Sequence, residues 1–237
     1  MKVQFLVIAI ASLLITSCSK EKVKPSDTIT SVERNITGFN EVVVSDAIEA
    51  DVTFSTTEEN VVVEANSNIH EYIITEVISG VLHIRRKENV HFKSPATIRI
   101  HITALSLNDI SVSGASSFSI LNDLVATNAT INVSGASRIS GGLITDNCSF
   151  NLSGASSGQF FGAIGNATMD LSGASSVGSL SLSVDNLNID LSGASDAVLG
   201  VNETIDIIAS GASTLDYLGD AVITSTNLSG GSSVNKL

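Results

Sequence analysis

Apolar and polar residues alternate along most of the second half of the chain, and the alternation is locked to a recurring tetrapeptide. Ser-Gly-Ala-Ser begins at Ser113, Ser134, Ser153, Ser172, Ser192 and Ser210, and a Ser-Gly-Gly-Ser variant begins at Ser229, in steps of 21, 19, 19, 20, 18 and 19 residues. With the first Ser as zero, positions −1 and −3 are apolar in six units: Val112 and Ile110, Val133 and Ile131, Leu152 and Phe150, Leu171 and Met169, Leu191 and Ile189, Ala209 and Ile207. Position −2 is Ser111, Asn132, Asn151, Asp170 and Asp190 in turn, until Ile208 breaks the series. This period of two belongs to a strand with one buried face. At +5 stand Phe118, Ile139, Val177, Ala197, Leu215 and Val234, with Gly158 as the exception. Each unit therefore predicts a short strand, a Gly-containing bend and a second short segment with its apolar side turned inward.

No such unit can bury its apolar face alone, whereas units stacked in register close a continuous core. The prediction is an all-β fold, a right-handed parallel β-helix of about 19-residue coils, with the repeats spanning 106–237. With strands roughly 4.8 Å apart, seven coils give a rod about 30 Å long. Gly supplies the positive φ that a corner demands, and the Ser hydroxyls bond local backbone or the Ser one rung away. In-register rows of Ser, Ala and Asn are expected along the rod.

Residues 36–105 lack the tetrapeptide but keep strand signals at 39–44, 50–54, 61–65, 81–85 and 97–103, with turn signals at Asn66-Ser67-Asn68 and Ser79-Gly80. They read either as irregular opening coils or as an N-terminal β module capping the helix. Residues 1–17 combine Lys2 with an apolar run, too short to span a bilayer comfortably, and fit a lipoprotein signal peptide. The end of that run, Leu14-Ile15-Thr16-Ser17-Cys18, resembles a bacterial lipobox, which makes Cys18 the expected lipidation site. Polar residues around Pro25 then suggest a tether over 18–35. Ser19 after the cysteine resembles signals sorted to the outer membrane. Asp27-Thr28-Ile29 resembles a short O-glycosylation motif, for which an unmodified linker is the simpler reading.

The chain has 237 residues and a formal net charge of −12, which argues against nucleic acid and against electrostatic docking on an anionic membrane. Two cysteines make neither a disulfide framework nor a zinc site. Cys148 sits at −5, where Ala129, Ala167, Leu187 and Ile205 stand in other units, so it reads as an inward core thiol. The four histidines, His70, His83, His91 and His101, all precede the repeats and lack ligand spacing, although His83 and His101 could meet across a sheet. Asp170 and Asp190, following Asn132 and Asn151, should form an outward ladder, read as a solvated face rather than a Ca²⁺ site. Residues 113–237 hold 10 acids but only two cations, Arg138 and Lys236, and no histidine, which disfavours lyase chemistry. No cofactor and no catalytic residue is assigned.

The Ser-Gly-Ala-Ser units, the preceding strands around Ile84 and Ile100 and the lipobox together resemble the putative auto-transporter adhesin, head GIN domain family over about residues 36–235. That resemblance implies a secreted or lipid-anchored right-handed β-helix and brings no catalytic or ligand residues. The functional expectation is a non-enzymatic lipoprotein in the envelope of a Gram-negative bacterium. It would be anchored to the outer membrane and would bind a glycan or a surface protein. The alternatives are a carbohydrate-active enzyme, with its site near His83, Arg99 and His101, and a structural envelope component without a glycan ligand.

Overall fold

The computed structural model describes residues 21–237, so the expected signal segment and Cys18 lie outside the described residues. The first half contains β1 (Glu21–Val23), β2 (Ile29–Arg34), β3 (Glu41–Val44), β4 (Glu49–Phe54), β5 (Asn60–Asn66), a 3-10 turn (His70–Tyr72), β6 (Ile73–Ile78), β7 (Val81–Arg86), β8 (Val90–Phe92), β9 (Ile98–Ala104) and β10 (Asp109–Val112). The repeats form β11 (Ser117–Val133), β12 (Arg138–Leu152), β13 (Ser157–Leu171), β14 (Ser176–Leu191), β15 (Asp196–Ala209), β16 (Thr214–Leu218), β17 (Val222–Leu228) and β18 (Ser233–Lys236).

Strands β11 to β15 are long because each wraps around the rod. In β11 a first face covers 117–120, a second 124–126 and a third 128–133, and all three pair in parallel with β12. The tetrapeptide then turns the corner from the third face to the first face of the next coil. Corners stack directly: Ser153 N donates to Val133 O at 2.9 Å, Ala155 N to Gly135 O at 2.7 Å and Ser157 N to Ser137 O at 3.0 Å. Matching residues of successive units are therefore spatial neighbours, and the fold is a parallel β-solenoid.

The core follows the alternation. Ile131, Phe150, Met169, Ile189 and Ile207 form one fully buried column, and Cys148 lies inward between Ala129 and Ala167. The exception at +5 has a packing reason. A Cβ on Gly158 would stand 2.5 Å from the Phe160 ring, so the missing side chain makes room for Phe160 beside Phe150, ring centroids 5.2 Å apart. The last Ser of each Ser-Gly-Ala-Ser is buried; the Ser116 and Ser137 hydroxyls accept from backbone N–H groups, and from the third unit on the hydroxyl donates to backbone carbonyls, as Ser175 does to Ser172 O at 2.9 Å and to Leu152 O at 3.2 Å. A buried hydroxyl needs such partners, which the corner supplies.

The N-terminal region joins the stack out of sequence order. On the third face β3 lies between β7 and β10, and on the first face β4 lies between β9 and β11. The rung built by 41–54 is thus inserted between the rung of 81–104 and the first repeat coil. Ser45-Asp46-Ala47-Ile48 turns its corner, with Asp46 and Ala47 at φ 69° and 59° and Ala47 N donating to Gly114 O at 2.8 Å. Antiparallel β5 and β2 continue the first face, and β6 continues the third.

The segment expected as a tether is part of this cap. β1 pairs with β8, and β2 pairs with β5 over its whole length. The Asn66-Ser67-Asn68 turn clamps the chain between them: Asn68 Nδ2 donates to Lys24 O at 2.9 Å and Asn66 Nδ2 to Ser26 O at 2.7 Å. β2 lies at the sheet edge with five of its six residues exposed, and an edge strand has the polar composition of a linker.

Candidate functional site

The residues singled out from sequence do not converge. His83 on β7 faces outward on the third face, whereas His101 on β9 lies on the first face, so the two do not meet. His101 Nδ1 instead stands 2.8 Å from Asp51 Oδ2 on the neighbouring strand. Arg99 donates to Glu64 at 3.0 Å and to Glu49 at 3.3 Å, and these two carboxylates hold its guanidinium more firmly protonated. The pairs are about half exposed, where such contacts contribute little to stability. His70 shares a 2.9 Å hydrogen bond with Thr30 Oγ1, and burial, with help from the Arg34 charge, lowers its pKa. Exposed His91 lies on β8 opposite Lys22. Burial pushes the Cys148 thiol up to about 12, with Thr145 acting the other way, so it is protonated and unreactive at neutral pH. Among the described residues no three His, Cys, Asp or Glu side chains are placed to hold a metal ion.

The expected ladders are present. Asn132, Asn151, Asp170 and Asp190 stand on successive rungs of the third face, and Asn151 Nδ2 donates to Asn132 Oδ1 at 2.9 Å. A second ladder was not anticipated: Asn128, Asn147, Asn166 and Asn186 line the corner between the second and third faces. Asn147 Nδ2 donates to Asn128 Oδ1 at 3.0 Å and Asn166 Nδ2 to Asn147 Oδ1 at 3.0 Å. Its signal was an Asn at −6 in four consecutive units. These amides satisfy one another, so the row is a structural brace.

The remaining corner, between the first and second faces, absorbs most of the variation in coil length; the corner before the third face takes up one residue between β14 and β15. Between paired positions β11 has three residues, 121–123, where β12 has only Gly142, and β14 has four, 178–181, where β13 has three. The longer coils overhang the shorter ones and enclose an open groove of about 800 Å³. Its floor includes Gly141, Phe160 and Phe161, and one wall is Ser119, Ser140 and Gln159, which follow one another on successive rungs. Leu121 on one overhang is 62% exposed, Leu180 on the other 48%, and Phe161 between them 50%. Among the described Phe and Tyr residues Phe161 alone is exposed. Gly142 forms the notch beside it, since a methyl group there would strike Asp123 Oδ1 on one side and the Phe161 ring on the other. Sequence reasoning missed this site. Its signals were the steps of 21 and 20 residues and an aromatic residue at an outward position.

A parallel solenoid whose outward side chains run in ladders, with one groove where the coils change length, defines a surface-presenting rod. The chain belongs to the family described as putative auto-transporter adhesin, head GIN domain, which matches residues 38–221. In structure it is similar to a putative adhesin from Bacteroides fragilis, with a TM-score of 0.83 and 21% identity over 91% of this chain and 100% of that one. It is also similar to a putative adhesin from Parabacteroides merdae, with a TM-score of 0.74 and 16% identity over 92% and 99% of the two chains. A putative lipid binding protein from Parabacteroides distasonis gives 0.74 and 18% over 92% and 100%. At such identities these likenesses establish the fold. A comparison with curated proteins gives no match. No helix among the described residues is long and apolar enough to cross a membrane.

Proposed function

We propose that the protein is a non-enzymatic adhesin of the bacterial cell envelope, lipid-anchored at Cys18 in the outer membrane and binding a glycan or another surface component with its solenoid. The observation that carries this reading is the groove at the first corner, an apolar and hydroxyl-lined recess whose lining residues include no acid and no base. The family description and the origin of the structural relatives in Bacteroides and Parabacteroides support the envelope location, and the lipobox supports the anchor. Two experiments test the reading. Cells fed a clickable fatty acid should label the wild-type protein and not Cys18→Ala. A deletion strain should lose adherence to host or biofilm glycans, and restored adherence should follow re-expression. Unlabelled wild-type protein removes the anchor, and unchanged adherence removes the adhesin.

A hydrolytic reading has one observation in its favour, the 2.8 Å contact of His101 with Asp51 beside Arg99. It requires sugar release from polysaccharides at catalytic rates, abolished by His101→Ala. Turnover that survives this substitution, or no turnover at all, ends that reading.

A further inference from the structure

We infer that the groove between the two overhanging coils is a binding site for a neutral oligosaccharide, laid along the rod axis with a pyranose ring on Phe161. The inference rests on the adhesin reading and names its ligand and its site.

Three features select this class of ligand. First, the walls differ in chemistry. Leu121, Phe161 and half-buried Val198 present apolar surface, and Ser119, Ser140 and Gln159 present hydroxyl and amide groups along a parallel row. A pyranose has the same two aspects, a C–H face that lies against an aromatic ring and an equatorial rim of hydroxyls. Second, the polar groups are unoccupied. The side chains of Ser119, Ser140, Gln159 and Asp123 make no hydrogen bond among the described residues, in contrast to the Asn128–Asn147–Asn166 row, which is bonded internally. Third, the size fits. The overhangs on β11 and β14 are three rung spacings apart, about 14 Å, enough for two or three sugar rings.

Competing occupants fit less well. An extended peptide binds a sheet by pairing along an open edge, and here the ladder is open only over three-residue gaps, 121–123 on β11 and 159–161 on the β14 side of β13, too short to take up a strand. An acyl chain would leave a whole row of hydroxyls and amides desolvated without partners. An acidic glycan meets the Asp123 carboxylate and a chain of net charge −12, with Arg138 as the one cation on the bordering strands. Repeat proteins tend to place their length variations on the binding face, which is where this groove lies.

The test is titration calorimetry of the full-length protein in detergent with neutral hexasaccharides of glucose, mannose and N-acetylglucosamine, and with a galacturonate hexamer as the anionic arm. The expected result is saturable binding of at least one neutral hexamer. Phe161→Ala should weaken it at least tenfold and Gln159→Ala several-fold, while Asn188→Ala on the third face leaves it unchanged. Gly142→Ala should also weaken it, because only the mobile ends of Asp123 and Phe161 must move to admit the methyl group. Thermal melts matching wild type confirm folding, as expected for exposed side chains. Equal binding by Phe161→Ala overturns the site, and tighter binding of the galacturonate hexamer overturns the ligand class. No binding of any hexamer by a protein that still confers adherence overturns the inference and leaves the adhesin reading standing. Loss of adherence as a property of the wild type would instead strike that earlier reading.

Discussion

At the scale of single residues, the corner glycines and the one buried thiol have effects that can be separated. Gly154 has φ +78°, and a Cβ there would stand 2.7 Å from Gly135 O in the rung before it. Gly135 has φ +74°, but its Cβ would meet nothing nearer than Gly114 N at 3.4 Å. The left-handed conformation alone costs an alanine roughly 1–2 kcal/mol. Gly135→Ala should therefore lose about that much, and Gly154→Ala about twice as much, because backbone must move as well. Urea unfolding of both variants reads the difference, and equal losses would show that the carbonyl contact is unimportant. Cys148 gives a pH signature. Its folded pKa of about 12 lies above the ordinary 9.0, so the unfolded chain ionises first and stability, complete below pH 9, falls between about 9 and 12. Tyr72, raised from 10.0 to about 12 chiefly by its hydrogen bond to Glu21, acts in the same direction. Cys148→Ala, which reproduces Ala129 and Ala167 of the adjoining rungs, should move the onset of alkaline loss from about 9 towards 10. An unchanged onset in melts across pH 8–12 would refute the assignment.

At the scale of elements, β1 and β2 behave as structure rather than as a leash. Removing 21–34 deprives β5 of a partner paired at six positions and uncovers the outer edge of the first face. Six antiparallel pairs make about six ladder hydrogen bonds, and at about 0.5 kcal/mol net each on an exposed edge the expected loss is on the order of 3 kcal/mol, seen as a lower urea midpoint and faster amide exchange in β5. A midpoint equal to wild type would restore the tether. The repeats from β11 onward were legible in the sequence because every coil before the last obeys the same constraints, with Gly at the corner, apolar residues at −1 and −3 and a buried Ser closing the turn. The inserted rung was not, because Ser45-Asp46-Ala47-Ile48 turns the same corner without Gly, its neighbours holding Asp46 and Ala47 at positive φ. Nor does strand order follow chain order there, and alternation within a strand carries no record of which strand lies beside it. The groove escaped for a related reason. Phe161, Leu121 and Asp123 look ordinary one by one, and their convergence depends on coils of unequal length being stacked.

At the scale of the whole molecule, the cations, though not the acids, are sorted along the rod. Residues 113–237 carry 10 acids and two cations, while 18–112 carry 14 acids and nine of the 12 Lys and Arg. Exposed Lys22, Lys24, Lys87 and Lys93 gather around the paired β1 and β8 at the cap, only a few residues beyond Cys18 in sequence. A net charge of −12 suggests repulsion from an anionic bilayer, yet screening limits each charge to a Debye length of roughly 8 Å at physiological salt. On the proposed anchoring at Cys18, with the rod standing on its cap, only the cap falls within that distance of the membrane. There each Lys near an anionic surface contributes about 1 kcal/mol of attraction. The acidic coils lie several rung spacings further out, where repulsion is weak for binding but still tilts the rod away from the surface. The lipidated protein in vesicles should accordingly stand upright, its final coils farther from the bilayer with anionic than with zwitterionic lipid, as fluorescence energy transfer from a label near Asn235 would show. Reversal of Lys22, Lys87 and Lys93 to Glu should abolish the dependence on lipid charge, as should high salt. A label distance indifferent to lipid composition would mean that the cap does not face the membrane, and the groove at Phe161 would then owe its outward presentation to something other than this sorting of charge.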